Sequence, residues 1–209
     1  MKWHWILVFI LSSCSKSNKC TLSEVIFSRT SVLGLGSLDW DVEDLLNSPL
    51  SYDSIRCKLW ITKPIDYIKV DNHYLPVSIN WECEGVVPEL ICFRKREVVK
   101  ISFDSCVIKI NNTICPDIDL DSIFYRAYSN NGKDHSLPSS PNSCFIALKT
   151  EGASPKQIEL VLQKLIQGYV RFLVSEIGDL EGHSGDYVIM RDELRNKFPF
   201  RLNITLPNR

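Results

Sequence analysis

The chain has 209 residues, of which 44% are hydrophobic, with only nine Gly and ten Pro. Such a composition is typical of a folded globular protein long enough to bury a sizeable core, as one large domain or two small ones. Lys and Arg number 24 and Asp and Glu number 25, so the balanced charge excludes a field that would collect nucleic acid or an anionic membrane surface.

The chain begins with MKWHWILVFILSSC, which has the pattern of a secretory signal. Lys2 supplies a positive charge, and the apolar run from Trp5 to Leu11 is too short to span a bilayer. Leu11-Ser12-Ser13-Cys14 resembles the lipobox of bacterial lipoproteins, which is cut before the Cys that is then acylated. The resemblance implies a signal peptide over residues 1–13, a lipid (palmitate) on Cys14 and a polar tether over residues 14–22.

A lipidated Cys14 would place the protein in an extracytoplasmic space, anchored to the bacterial cell envelope. In a Gram-negative bacterium this is the periplasmic face of the outer membrane. The alternative is a secreted protein in which Cys14 is an ordinary residue after a conventional cleavage site.

Seven further cysteines follow Cys14. In an oxidising compartment some of them should form disulfide bonds, but their connectivity cannot be read from sequence. An odd number predicts at least one thiol that stays free or pairs between molecules. No C-x-x-C motif occurs, so the sequence predicts no metal site.

Residues 23–96 are predicted to form a β-rich N-terminal region. Cys57–Thr62, Tyr67–Val70 and Leu75–Trp81 alternate in part, and Asp71-Asn72 marks a turn between the last two. Before them, the Gly34-x-Gly36 pair lacks the third glycine of a nucleotide loop and indicates a turn. Ser37 or Asp39 could cap a brief helix that runs through Leu46.

Residues 97–209 are predicted to form an α/β region that opens with a hairpin. The strands Glu97–Phe103 and Cys106–Ile110 lead to Asn111-Asn112, which suits a two-residue turn with positive φ. From Asp117 the pattern is helical, with acidic residues in the first turn, and Ser129–Asn142 is predicted to be a loop.

A strand, a helix and a second strand are predicted next, over residues 144–150, 155–167 and 169–175. Ser154 and Gln157 form a capping box around Pro155 at the first helical position. Gly168 is predicted to be the C-terminal cap, and Tyr169-Val-Arg-Phe-Leu-Val has the composition of a strand. The two strands of such a βαβ unit should lie parallel. The polar tail from Glu181 ends in a strand, Phe200–Thr205, predicted at an edge of the sheet.

Residues 98–176 resemble the periplasmic domain of the ExbD/TolR proteins, partners of proton-driven motors in the bacterial envelope. The similar features are the hairpin Val98–Ile114 with its Ile-Lys-Ile-Asn-Asn turn, the helix Asp119–Ser129, Phe145-Ile-Ala-Leu-Lys-Thr, the helix Pro155–Gln167, Gly168 and the strand Val170–Val174. The resemblance implies a module that binds proteins or cell-wall material. Members of that family carry a transmembrane helix with an essential acid, whereas Trp5 to Leu11 contain none, so motor chemistry is not implied.

Candidate chemical sites are few. Asp117-x-Asp119-x-Asp121 has the first ligands of a calcium loop, but Ser122 and Tyr128 stand where Gly and Glu are required. Two polar clusters are predicted to be solvated loops: Glu181–Asp186, which contains His183, and Asp134-His135-Ser136. Residues that are adjacent in sequence rarely give catalytic geometry. A Cys/His hydrolase would have to combine one of three cysteines with one of three histidines: Cys57, Cys83 or Cys144 with His73, His135 or His183.

The sequence thus predicts an α+β protein with one mixed sheet, the βαβ unit and a β-rich N-terminal part. We expect a non-catalytic binding or accessory role at the envelope, beside an ExbD/TolR-type transport complex, with no cofactor. Envelope proteins or cell-wall material are the expected partners, with the membrane reached through the lipid anchor, no nucleic acid, and homodimerisation left open. The alternative is a secreted hydrolase or ligand-binding protein that uses a Cys/His or Ser/His site.

Overall fold

The computed structural model describes residues 22–28, 39–47, 66–80, 95–104, 107–116, 119–177 and 187–206. Within these ranges the strands are β1 (Asp39–Asp41), β2 (Asp66–Val70), β3 (His73–Asn80), β4 (Val98–Asp104), β5 (Val107–Ile110), β6 (Thr113–Ile114), β7 (Phe145–Lys149) and β8 (Leu202–Thr205). The α-helices are α1 (Leu22–Ile26), α2 (Val42–Asn47), α3 (Leu120–Ser129), α4 (Pro155–Ile177) and α5 (Tyr187–Lys197). Short 3₁₀ turns form at Lys95–Glu97 and Pro141–Ser143.

The described strands form one mixed sheet in the order β1-β2-β3-β8-β7-β4-β5-β6. β3, β8, β7 and β4 run parallel to one another at its centre. Antiparallel pairs flank this centre, β2 with β3 on one side and β4 with β5 and β5 with β6 on the other. The predicted α+β class with a mixed sheet is therefore confirmed.

One face of the sheet carries the hydrophobic core. Val99 pairs with Ile146, and Ile146 pairs with Leu202, so these buried side chains lie side by side on the same face. Lys100, one residue along β4 from Val99, is exposed on the opposite face. Buried residues of all five helices belong to the same core cluster, so alternation along the strands selects the face that the helices cover.

The predicted turns are confirmed where the structure describes them. Asn111 and Asn112 have φ of 50° and 69°, and Asp71 has φ of 52°. Asparagine and aspartate tolerate this left-handed region better than other residues with a Cβ. The predicted signal, the Gly34-x-Gly36 turn and the strand Cys57–Thr62 lie outside the described residues, as does the tether except for its last residue, Leu22, which is the first residue of α1.

Helix α4 begins where the sequence predicts. The Ser154 backbone N–H donates to Gln157 Oε1 at 2.9 Å, and the Gln157 N–H donates to Ser154 Oγ at 3.4 Å. This reciprocal pair is a capping box, with Pro155 at the first helical position. The preceding strand, predicted at 144–150, is β7, Phe145–Lys149.

The predicted end of the helix at residue 167 and the strand over 169–175 are wrong. α4 continues without a break from Pro155 to Ile177, through Gly168 and the run Tyr169-Val-Arg-Phe-Leu-Val. Tyr169, Phe172 and Leu173 are all buried and continue the helical stripe that starts with Ile158. Packing along that stripe outweighs the strand propensity of β-branched and aromatic residues.

Gly168 is a contact point between two helices and not a cap. A Cβ built on Gly168 would lie 2.6 Å from the Asp121 carbonyl oxygen and 2.7 Å from Phe124 Cβ, both on α3. The absence of a side chain therefore lets α4 lie directly against the backbone of α3. In the sequence a helix-terminating glycine and a helix-packing glycine look the same.

The strand predicted at an edge lies in the interior of the sheet. β8 pairs with β3 on one side and β7 on the other, parallel to both. β7 and β8 are therefore the adjacent parallel strands of the strand–helix–strand unit, and the connection between them contains α4 and also α5, which the sequence did not predict. The hydrophobic pattern of α5 is weak because most of its residues are polar, which explains why it was missed.

Replacing Gly168 with Ala should destabilise the fold. The added methyl group would meet backbone atoms of α3, and such overpacking costs about 1–3 kcal/mol, which exceeds the ~1 kcal/mol gain in helix propensity. Urea unfolding followed by circular dichroism would measure the change. Glu176→Ala, at an exposed position of the same helix, is the control and should be neutral within about 0.5 kcal/mol. An unchanged or raised stability of Gly168→Ala would contradict the close contact.

Candidate functional site: a cleft beside helix α4

An open cleft of 540 Å³ lies between the β2–β3 turn, helix α1 and helix α4. This volume falls within the range of small-molecule binding sites, about 300–1,000 Å³. Its described lining consists of six polar residues and two apolar ones: Ser23, Asp71, His73, Gln163, Gln167 and Arg171, with Ile166 and Val170.

Asp71 forms one end of the cleft from the tip of the β2–β3 hairpin. Its left-handed backbone closes the two-residue turn and leaves the carboxylate exposed. Gln163 Nε2 of α4 donates a hydrogen bond to Asp71 Oδ2 at 3.1 Å. This bond orients the carboxylate and leaves acceptor positions on it open.

His73 forms part of the inner wall. It is the first residue of β3, pairs with Val70, and therefore points to the face covered by helices. Its ring stands edge-on to Phe27, with 6.1 Å between ring centroids. Both ring nitrogens are buried and have no hydrogen-bond partner in the part of the chain that the structure describes. An unsatisfied buried donor costs about 1–3 kcal/mol, so the wall of the cleft contains a polar group held at an energetic cost.

Arg171 lies at the other end of the cleft lining. Its guanidinium stacks on the ring of Tyr125 from α3, with Cζ 4.6 Å from the ring centroid. This cation–π contact holds the guanidinium against α3, and its N–H donors can still bind a ligand. The side chain forms no ion pair with any described residue.

Two arginines of α5 hold the α1 wall in place. Arg195 Nε donates to the Ile26 carbonyl at 3.0 Å, and Arg191 Nη1 donates to Ser28 Oγ at 3.0 Å. On the sheet side, the Tyr74 N–H donates to the Phe27 carbonyl at 2.7 Å. Cations at the C-terminal end of α1 satisfy carbonyls that the helix leaves open, so this short helix is fixed from both sides.

Cys144, the one described cysteine among the hydrolase candidates, is enclosed in the core with 0% exposure. Burial, with the nearby charge of Glu97, raises the pKa of its thiol to about 12. A reactive cysteine needs the opposite, a lowered pKa and access to solvent. Cys144 directly precedes β7, and β8 lies between β7 and β3, which begins with His73. Neither ring nitrogen of His73 bonds to Cys144 or to any other described residue, so the two side chains do not form a nucleophile–base pair.

The Asp134-His135-Ser136 group forms a local turn, as the sequence predicts. Asp134 Oδ1 accepts from the Ser136 hydroxyl at 2.7 Å and from the Ser136 N–H at 2.8 Å. These two bonds lower the pKa of Asp134. His135 Nδ1 instead lies 3.4 Å from Arg96 Nη1, so no acid–imidazole–hydroxyl relay is assembled here.

Asp121, the third acid of the calcium-loop pattern, lies in the first turn of α3 with its Oδ1 3.8 Å from Lys164 Nζ. Other candidate residues lie outside the described part of the chain: Cys14, Cys57, Cys83, Asp117, Glu181, His183 and Asp186. No described group of three or more His, Cys, Asp or Glu side chains is placed to hold a metal ion.

A buried carboxylate network was missed by sequence analysis. Glu97, 6% exposed, accepts hydrogen bonds from the Ser139 N–H at 2.9 Å, the Ser139 hydroxyl at 2.8 Å and the Ser143 hydroxyl at 2.5 Å. Burial would raise the pKa of Glu97, but these bonds and Arg96 outweigh it and lower the pKa to about 2. A carboxylate held charged in this way anchors the 139–143 loop to the start of β4 and is a poor base.

The cleft was missed as well, although α4 carries a signal for it. Gln163, Gln167 and Arg171 recur every four residues and therefore form one polar stripe along a helix. The stripe can be recognised in the sequence only if α4 is known to continue through Gly168. No sequence pattern indicates that the β2–β3 turn, 92 residues from Gln163, lies against it.

A comparison with known proteins gives no match, whether to a family model, a curated protein or a solved structure. The resemblance of residues 98–176 to ExbD/TolR domains therefore stays a prediction. In the described part of the chain, no helix is both long and apolar enough to cross a membrane.

Glu97→Gln should destabilise the protein at neutral pH by about 1–3 kcal/mol, because the serine donors lose a charged acceptor. The pKa of about 2 in the folded protein lies below the ordinary glutamate pKa of 4.5. The stabilisation by Glu97 is therefore present above pH ~4.5 and is lost as the pH falls from there towards 2. Urea unfolding at several pH values should show the wild-type and variant stabilities converging over this window. Glu159→Gln, at an exposed position on α4, is the control, and a pH-independent difference for Glu97→Gln would contradict the assignment.

Proposed function

We propose that this chain is a non-catalytic binding protein of the bacterial cell envelope, which holds a small ligand in the cleft beside α4 and is tethered through a lipid on Cys14. The observation that carries the proposal is the cleft itself, with a carboxylate, an imidazole, a guanidinium and two amides around it. These groups suit reversible recognition by hydrogen bonds and charge.

The state of those groups supports a binding role. Arg171 has a stacked guanidinium without an ion pair, Asp71 has open acceptor positions, and both nitrogens of His73 are without partners among the described residues. Polar groups in protein interiors and clefts are normally satisfied by the protein or by water. A ligand with donors and acceptors of its own could bind Asp71 and Arg171 together, since both side chains are exposed.

The enclosure of Cys144 favours binding over a hydrolase built on this thiol. A pKa of about 12 leaves it protonated at physiological pH. The side chain is covered by the core, so a substrate carbonyl would have no access to it. A Cys/His hydrolase would therefore depend on Cys57 or Cys83, which lie outside the described residues, and the burial of Cys144 does not bear on a Ser/His site.

The anchor and the cleft would lie close together. Leu22, the first residue of α1, which forms a wall of the cleft, comes only eight positions after Cys14. Even fully extended, eight residues span at most about 30 Å. The cleft would therefore lie near the membrane surface, where envelope components and soluble extracytoplasmic molecules both have access to it.

The proposed binding does not depend on the resemblance to ExbD/TolR domains. Of the elements around the cleft, only α4 lies within residues 98–176, whereas α1, β2 and β3 come from the N-terminal region. A role beside a transport complex is compatible with this arrangement, since the tethered cleft could present its ligand to a membrane-embedded partner.

A screen of small ligands by nuclear magnetic resonance should find binders that map to the cleft. The probes are the free amino acids, short peptides, mono- and disaccharides and nucleotides, added to the ¹⁵N-labelled protein. Shift changes should concentrate at Gln163, Gln167 and the Asp71 turn, and mass spectrometry should recover each ligand unaltered. Shift changes confined to other parts of the protein, no binding by any probe, or turnover of a ligand would overturn the proposal.

Palmitate labelling of the full chain, expressed in a bacterium, should depend on Cys14. The wild type and Cys20→Ala should incorporate radiolabelled palmitate, whereas Cys14→Ala should not, because the acylated residue is the cysteine at the cleavage site. Cys20→Ala is the matched control because it removes a neighbouring thiol. Equal labelling of the wild type and Cys14→Ala would refute the anchor without bearing on the cleft.

A further inference from the structure

We propose that the cleft takes a short, extended peptide with free ends, whose N-terminal ammonium binds Asp71 and whose C-terminal carboxylate binds Arg171. This inference rests on the proposed binding function and names its ligand class. It follows from the spacing of the polar stripe on α4, from the charges at its two ends, and from the apolar stripe beside it.

The polar stripe has the repeat of an extended peptide. Gln163, Gln167 and Arg171 are four residues apart on α4, which separates them by about 6 Å each along the helix axis. In an extended chain, groups on the same side recur every two residues, at about 6.6 Å. Each glutamine amide can therefore donate to and accept from alternate peptide groups of one strand laid along α4.

Opposite charges stand at the two ends of this stripe. Asp71 is bonded to Gln163, at the end nearer the start of α4, and Arg171 lies eight residues further on, about 12 Å along the axis. At about 3.3 Å per residue, 12 Å is the length of a peptide of about four residues. The charges fix its direction, with the peptide running parallel to α4.

The carboxylate of Asp71 and the guanidinium of Arg171 are both available to bind the ends of a peptide. Arg171 stacks on Tyr125 and makes no ion pair with a described residue. A guanidinium fixed in this way can bind a carboxylate through two parallel N–H donors. Asp71 keeps acceptor positions beyond the bond from Gln163, and an ammonium group offers three donors.

An apolar stripe runs beside the polar one. Ile166 and Val170 line the cleft, and Val174 continues the stripe by one further turn with 37% of its surface exposed. Successive side chains of an extended peptide point to opposite sides of its backbone. Every second side chain of the bound peptide would therefore point away from solvent and lie on the apolar stripe. Small apolar side chains fit a cleft of 540 Å³ that must also hold the peptide backbone.

Titration calorimetry with tetra-alanine tests the proposal on the whole protein. Unmodified tetra-alanine should bind with a dissociation constant on the order of 0.1 mM. N-acetyl-tetra-alanine and tetra-alanine amide should each bind about tenfold more weakly, since each loses a charged contact. Alanine and dialanine, which cannot span about 12 Å, should bind more weakly still.

Two variants assign the ends of the peptide. Asp71→Asn keeps the side-chain size and the tolerance of positive φ, and it should bind N-acetylated and free tetra-alanine about equally. Arg171→Gln should instead abolish the preference for the free C-terminus and keep the preference for the free N-terminus. Glu193→Gln and Arg126→Gln, both exposed and outside the cleft, are the controls and should bind as the wild type does. Circular dichroism would confirm that all four variants are folded.

The outcomes separate this inference from the proposed function. If saccharides or nucleotides bind in the cleft and tetra-alanine does not, the peptide is wrong and the binding function stands. The assignment of the ends is overturned if free and capped peptides bind equally. It is also overturned if Asp71→Asn loses the preference for the free C-terminus and Arg171→Gln loses the preference for the free N-terminus. If no probe binds in the cleft, both proposals fail.

Discussion

The contact between Gly168 and the backbone of α3 is the constraint on which much of the structure depends. Because Gly168 has no Cβ, α4 approaches the Asp121 carbonyl closely and stays helical beyond it. The residues that follow can then place Tyr169 and Phe172 in the core, against Tyr128, Phe198 and Phe200. A helix that ended at Gly168 would lose this aromatic cluster. It would also lose Arg171, the last residue of the polar stripe, so the core and the cleft both require the continuous helix.

The last described strand, β8, joins the two halves of the sheet. β8 lies between β3 of the N-terminal region and β7 of the C-terminal region, and it bonds to both along most of its length. The two halves of the sheet can therefore join only after β8 has been synthesised. Tyr169 reinforces the junction, since its hydroxyl donates to the Phe198 carbonyl just before β8. The cleft draws on both halves and can form only after this closure.

The sequence predicts the local structure well and the long-range structure poorly. The turns at Asp71 and Asn111-Asn112 and the capping box at Ser154 depend on side chains within a few residues, so composition alone reveals them. The strand predicted at 169–175 is wrong because its residues favour a strand locally and a helix only when packed against α3. Glu97 shows the same limit: its serine partners are 42 and 46 residues away. No sequence pattern around Glu97 indicates that its charge is buried, and none around Asp71 indicates that it lines a cleft.

The balanced charge of the whole chain fits the character of the candidate site. With 24 basic and 25 acidic residues, the protein has no long-range field to attract an anion or a cation. The cleft instead sets one carboxylate and one guanidinium at opposite ends of a helix stripe, so any attraction acts only over a few ångströms. Such a pair disfavours ligands with a single kind of charge, because each would meet one repulsive end. Selectivity at this site would therefore arise from the distance between two charges and not from their sum.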